Sequence, residues 1–241
     1  QFRAAIHAQL RRYDDLVRDA DRLLGSPDYA AEGYLWRGLA DLFSGRAEDS
    51  IGHLSHAVRG EAYGDWAKVA RGLAYMQQGN LFDALLDFND VLSNAPDFSP
   101  AHLAQANLYY AAGQYEKGRE SASKVLAVDP ENADALTIRG DCRLELGDTA
   151  AALEDYQSAM NIVGQTPALM TRMFTASFAV IQAQRAASAP ESGSSATTTA
   201  PSPQGSRAPQ SPDGSDPLLE SVTRPLDLGG TRNGPIGSSF R

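Results

Sequence analysis

The sequence predicts an all-α fold, namely a right-handed superhelical α-solenoid of stacked helical hairpins that is followed by a disordered C-terminal tail. Three observations predict it. Glycines recur at a constant spacing along the chain, small and apolar residues recur in the same phase, and the composition changes abruptly after residue 187. The first two features are typical of paired helices that stack on one another, and the third separates a core-forming part from a part that cannot form a core.

The periodic glycines define the repeat. One stands at every thirty-fourth position, and when each is placed at position fifteen they divide the chain without insertions into units 31–64, 65–98, 99–132 and 133–166. A glycine at this place can adopt the positive φ that ends a helix. The glycines concerned are Gly45, Gly79, Gly113 and Gly147.

Other positions repeat with the same period. Position eight is small, which lets two helices approach closely, and position twenty-four is mostly apolar and large, as expected of a side chain that faces the first helix. Each unit is therefore predicted to be helix, turn, helix, turn. The residues at position eight are Gly38, Gly72, Ala106 and Gly140, and those at position twenty-four are Leu54, Phe88, Ala122 and Tyr156.

Together, the period and these residues resemble the tetratricopeptide repeat family over residues 31–166. The segments 71–75 (RGLAY) and 152–156 (ALEDY) are similar to the common form of that repeat. Residues 1–30 are interpreted as a partial N-terminal unit, although residues 2–24 lack a helix breaker and a single long helix is the alternative. Residues 167–187 are predicted to be a C-terminal capping helix, since the terminal units of a solenoid need a cap.

A correlation between charges predicts ion pairs inside the units. Where position seven is Arg, position twenty-three of the same unit is usually Asp. Arg is suited to a fixed bidentate pairing, so each pair should bridge the two helices of a hairpin. The exception is Arg37, which should face His53. The predicted pairs are Arg3–Asp19, Arg71–Asp87 and Arg139–Asp155.

Composition argues against several classes of function. Residues 1–187 hold 17 Lys and Arg against 25 Asp and Glu, and this acidic body disfavours nucleic acid as a partner. No apolar run is long enough to cross a membrane. His53 and His56 could offer two metal ligands, but no spacing completes a site, so no metal and no cofactor are expected. Cys142 should be an ordinary thiol, and no residue set indicates an enzyme.

The family resemblance implies a concave groove that is lined by the first helices, at positions two, five, nine and twelve of each unit. In the first half of the chain these positions are mostly apolar, and in the second half they are mixed and acidic. Some of the apolar residues could instead pack between units. The predicted groove residues are Leu35, Trp36, Leu39, Leu42, Trp66, Val69, Leu73, Met76, Asn107, Tyr110 and Asp141.

An apolar groove suits an amphipathic helix or an extended peptide of a partner protein, and an acidic end could orient a basic flank. We therefore expect a non-catalytic scaffold or adaptor, a subunit of a larger complex. The alternative is a chaperone or assembly factor that shields an apolar client segment. A soluble protein is expected, with a cytoplasmic location favoured over a periplasmic one.

The tail, residues 188–241, holds 8 of the 13 prolines and is predicted to be disordered. Its last part, residues 216–241, contains scattered aliphatic residues and Phe240. This part is a candidate for a short segment that orders on contact with the groove or with another subunit.

Overall fold

The structure, a computed structural model, describes residues 13–60 and 63–188; of residues 183 and 185–188 it describes only the backbone. All regular structure within these residues is helical. The ten α-helices are α1 (Tyr13–Leu24), α2 (Ala30–Phe43), α3 (Ala47–Ala57), α4 (Gly64–Gln77), α5 (Leu81–Asn94), α6 (Ser99–Ala111), α7 (Tyr115–Val128), α8 (Ala133–Glu145), α9 (Thr149–Val163) and α10 (Pro167–Ser188), and a 3₁₀ turn spans Pro27–Tyr29.

The predicted turns are present. Gly45, Gly79, Gly113 and Gly147 have φ between 70° and 82°, a region that other residues rarely adopt. Each ends the first helix of a hairpin, and its amide bonds back to a carbonyl three residues earlier, as Gly45 N does to Leu42 O at 3.1 Å. The predicted positive φ at position fifteen is confirmed.

Asparagine side chains cap the N-termini of α5 and α8. Asn80 Oδ1 accepts from the amide of Asp83 at 3.3 Å, and Asn132 Oδ1 accepts from the amide of Ala135 at 2.9 Å. Each bond satisfies an amide that has no partner inside its own helix. Local sequence therefore sets where α5 and α8 begin.

Each helix packs against its neighbours in sequence, and α2, α4, α6 and α8 also pack against each other across the hairpins. These four first helices form one layer, and the second helices α3, α5, α7 and α9 cover it. The side chains at position twenty-four lie between the two layers and are fully buried. They are Leu54, Phe88, Ala122 and Tyr156.

The predicted all-α solenoid is confirmed. To within one residue, each of the four predicted units holds one pair of helices, and α10 occupies the place of the predicted cap. The unit boundaries themselves stay predictions. The single long helix over residues 2–24, the tail from residue 189 onward and the segment 216–241 lie wholly or partly outside the described residues.

Candidate functional site

The layer of first helices is more closed than the sequence suggested. Eight of the eleven predicted groove residues are at most 8% exposed, and they belong to the core cluster or to a buried polar network. The expectation that these eight face a partner is therefore corrected. They are Leu35, Trp36, Leu39, Leu42, Val69, Leu73, Asn107 and Asp141.

The cause is the packing of one first helix on the next. Neighbouring first helices contact each other along the layer, so positions five and nine point into the contact between units rather than to solvent. Leu73 shows the effect at position nine, since it belongs to the core cluster and is only 3% exposed. Trp36, at position six, is 2% exposed, and its indole N–H donates within its own helix to Glu32 Oε1 at 3.2 Å. Asn107 donates its side-chain amide to the Leu103 carbonyl of its own helix, at 3.0 Å.

Asp141 is not the free acidic group that the sequence suggested. Its carboxylate accepts from the hydroxyl of Tyr156 at 2.8 Å and from Arg172 Nε at 2.8 Å. Burial, together with this carboxylate, raises the pKa of both Tyr156 and Tyr110 well above the usual value. The phenols stay protonated, and the charge of Asp141 is balanced inside the protein.

Three predicted groove residues keep part of their surface. Met76 and Tyr110 are half-buried, and both stand at position twelve, near the C-terminal end of a first helix. Leu144 occupies the same position in the next unit and is also half-buried, so that three neighbouring units present one row. Trp66 lies near the other end of α4, where its ring packs edge-to-face on Phe98 with centroids 5.1 Å apart. The binding role of these residues stays a prediction.

Two of the three predicted ion pairs lie within the described residues, and both are bidentate. Arg71 donates from Nε and Nη2 to Asp87, at 2.8 and 2.7 Å. Arg139 donates to Asp155 at 3.0 and 2.6 Å in the same way. Each pair bridges the two helices of one hairpin. Arg3 of the third pair lies outside the described residues.

Sequence reasoning missed a second partner of position seven. In three units this residue also reaches back to position twenty-five of the preceding second helix. The signal was available, because position twenty-five is polar in every unit. The three contacts are Arg37 Nη1 to Asp21 at 2.8 Å, Arg71 Nη1 to Ser55 Oγ at 3.2 Å, and Gln105 Nε2 to Asn89 Oδ1 at 2.7 Å.

Arg37 and His53 approach the same buried carboxylate. His53 Nδ1 lies 2.8 Å from Asp41 Oδ2, Arg37 Nε lies 3.7 Å from the same oxygen, and Arg46 donates to Asp41 Oδ1 at 2.6 Å. Asp41 is only 1% exposed, so a buried carboxylate attracts all three groups. The charge correlation at positions seven and twenty-three could not reveal it, because Asp41 stands at position eleven.

Within residues 13–60 and 63–188, no group of three or more His, Cys, Asp or Glu is arranged to hold a metal ion. His56 stacks on Tyr34, with ring centroids 4.7 Å apart. No helix in the same part of the chain is both long and apolar enough to cross a membrane. Cys142 is fully buried in α8.

The geometry defines a class first: an α-solenoid of repeated helical hairpins. Residues 103–164 match the family model of the tetratricopeptide repeat. Human tetratricopeptide repeat protein 21A is 25% identical over 167 residues, which cover 67% of this chain and 13% of that protein. The chain thus matches about an eighth of the length of this relative.

Two solved structures share the fold. The tetratricopeptide repeat domain of Sgt2 from Aspergillus fumigatus is 25% identical, with a TM-score of 0.50, and the match covers 56% of this chain and 91% of that one. The tetratricopeptide repeat protein TTC0263 from Thermus thermophilus is 20% identical, with a TM-score of 0.64 and coverage of 73% and 95%. These matches support the predicted resemblance to the tetratricopeptide repeat family, and the chain has the fold of a tetratricopeptide repeat solenoid.

Proposed function

We propose that this chain is a non-catalytic interaction subunit that holds a segment of a partner protein against its layer of first helices. The observation that carries the proposal is the row formed by Met76, Tyr110 and Leu144, which keeps part of its surface while positions nine and ten of the same helices are buried. Surface of this kind, apolar and fixed on rigid helices, suits a peptide or an amphipathic helix.

The spacing of the row sets the pattern of the partner. Packed helices lie about 8–10 Å apart, so neighbouring members of the row should be separated by about that distance. Side chains seven residues apart on a helix are about 10.5 Å apart, and those three apart on an extended chain are about 10 Å apart. A partner with apolar residues at one of these spacings would contact all three.

Charge at one end of the row favours a basic flank on the partner. Glu145 is exposed in the last turn of α8, and its charge contributes to the raised pKa of Tyr110, which places it near the row. It replaces the neutralised Asp141 as the group that could orient a cationic residue. A Lys or Arg beside the partner's apolar residues would complement it.

The test replaces the two aliphatic members of the row without adding charge. Full-length protein carrying Met76→Ser and Leu144→Ser would be compared with wild type by affinity purification and mass spectrometry. The matched control is Phe82→Ser with Leu86→Ser, because these side chains of α5 are 72% and 51% exposed and belong to the other layer. Circular dichroism would check that all three proteins are equally helical.

If each of the two replaced side chains contributes about 1.5 kcal/mol to the binding free energy, the row variant should bind its partner about 100-fold more weakly. The control variant should bind as wild type does. A partner that binds the row variant and wild type equally would contradict the proposal.

A further inference from the structure

The last helix, α10, differs from the other first helices at one decisive position. Counted from residue 167, position eight is Phe174, where three other units have glycine. A Cβ on Gly72 would lie 2.3 Å from Phe88, because the second helix of that hairpin covers the position closely. Phe174 is 69% exposed, so no helix in the described part of the chain covers it.

Phe174 belongs to an apolar stripe along α10. The stripe is made of Met170, Phe174, Phe178 and Ile181, which are 38%, 69%, 62% and 45% exposed. Their spacing of four, four and three residues puts them on one face of the helix. Exposed stripes of this kind on a folded domain mark interaction surfaces.

The opposite face of α10 holds the helix in place. Leu169 and Ala176 are at most 5% exposed, and Arg172 binds the buried carboxylate of Asp141. The stripe is therefore presented by an anchored helix and not by a fraying end. The backbone of an anchored helix loses little further conformational freedom on binding.

The charge of α10 indicates which kind of surface binds the stripe. The helix contains no Asp or Glu, and one of its two cations, Arg172, is bound to Asp141. The chain as a whole carries a net charge of −9, so two copies repel each other at most orientations. The uncharged stripe is a face where two copies can approach with no acidic side chains of α10 in direct contact.

The stripe is also complementary to itself. In an isologous dimer, residue i of one copy contacts residue j of the other, and j contacts i. An antiparallel arrangement with its two-fold axis near residue 176 places Phe174 opposite Phe178 and Met170 opposite Ile181 in both directions. The two aromatic pairs at the centre add ring contacts to the apolar burial.

We propose that α10 is a dimerisation helix, through which two copies of this chain pair antiparallel along the stripe. This goes beyond the proposed function, because it concerns a second copy of this chain; of the stripe, only Phe178 stands at position twelve, the position of the row. Four side chains per copy make a small interface, at the low end for specific contacts. We therefore expect a reversible dimer whose dissociation constant is micromolar.

The experiment measures the mass of the full chain by sedimentation equilibrium between about 1 and 200 µM. Wild type should shift from monomer to dimer across this range, whereas Phe174→Glu with Phe178→Glu should stay monomeric. The matched control is Phe82→Glu with Leu86→Glu on α5, which should dimerise as wild type does. Unchanged helicity by circular dichroism would show that each variant is folded.

A mixing experiment tests direct contact. A second variant, Phe174→Lys with Phe178→Lys, should also be monomeric alone, and an equimolar mixture with the Glu variant should form a heterodimer in native mass spectrometry. Rescue by opposite charges requires that the two stripes face each other. It also excludes misfolding as the cause of the monomeric state.

Several outcomes would overturn the proposal. One is a wild-type chain that stays monomeric at the highest concentration; another is a dimer that survives the Glu substitutions. If the wild-type chain is monomeric, deletion of residues 189–241 distinguishes two explanations. Dimerisation only after the deletion would mean that the chain's own tail covers the stripe. A chain that stays monomeric after the deletion would mean that the stripe binds a different protein.

Discussion

Gly72 and Gly140 lie directly under aromatic rings of the facing helix. A Cβ on Gly72 would be 2.3 Å from Phe88, and one on Gly140 would be 2.6 Å from Tyr156. Both rings belong to fully buried residues that have little room to move. At position eight the absence of a side chain therefore decides how closely the two helices of a hairpin approach.

We expect Gly72→Ala to destabilise the protein by about 1–3 kcal/mol, since the added methyl must displace a packed ring. The control is Gly52→Ala, inside α3, where a Cβ would meet nothing within 4 Å. That change should stabilise by about 0.5–1 kcal/mol, because alanine loses less backbone entropy in a helix. Urea unfolding measures both, and equal midpoints for the two variants would refute the packing explanation.

Cys142 illustrates how burial controls chemistry at a single residue. Burial, followed by the charge of Asp141, raises the pKa of its thiol to about 12. At pH 8 the thiolate fraction would then be about 10⁻⁴, compared with about a quarter for an ordinary cysteine. We expect almost no reaction with a thiol reagent in the folded protein and one equivalent in denaturant. Fast labelling of the folded state would contradict the burial of this side chain.

At the scale of elements, position seven connects three helices. Arg71 binds Asp87 on its own second helix and Ser55 on the second helix before it. One guanidinium thus fixes both the closure of a hairpin and its contact with the preceding hairpin. The charge correlation within the repeat predicted the first contact, and the second needed the structure.

Asp155 provides the test of these pairs. It is 2% exposed and accepts from Arg139 at 2.6 Å and from Arg143 at 2.8 Å. Asp155→Ala leaves two half-buried cations without their acceptor, so we expect the free energy of unfolding to fall by about 2–4 kcal/mol.

The control for this loss is an exposed pair. Asp90 is 57% exposed and lies 2.8 Å from Lys68. Asp90→Ala should lower the free energy of unfolding by less than about 1 kcal/mol, because water screens such pairs. Urea unfolding compares the two variants, and a similar loss for both would mean that burial does not set the value of these pairs.

At the scale of the whole molecule, the described residues form a linear stack in which each hairpin contacts mainly its neighbours. Stability in such proteins is approximately a sum of repeat and interface terms, so local damage need not spread. Arg172 ties α10 to the stack beyond its neighbouring helix, because it binds Asp141 in α8, 31 residues earlier.

We expect Arg172→Ala to loosen one end of the stack only. Amide hydrogen exchange should become faster in α8, α9 and α10, where a buried carboxylate has lost its cation, while α2 to α5 keep their protection. Exchange measured by mass spectrometry on peptides from both ends tests this. Uniformly faster exchange would show that the molecule unfolds as one cooperative unit instead.

The sequence determined the repeat and hence the fold. Glycines at a fixed period set the turns, and small residues at position eight together with large ones at position twenty-four set the packing within a hairpin. These are local requirements, because the interacting residues lie within a single unit, so the period of the repeat records all of them. The ion pair of Arg139 with Asp155 follows the same logic.

Only the tertiary structure decided which first-helix residues remain open. Leu73 and Met76 stand on the same helix and both looked like groove residues, yet Leu73 is 3% exposed and Met76 is half-buried. Their difference depends on how closely the neighbouring first helix packs, which is a distance between units and leaves no mark in the repeat. For the same reason the neutralisation of Asp141 by Arg172 was not visible in the sequence, because the two residues belong to different units and meet only when the cap helix docks.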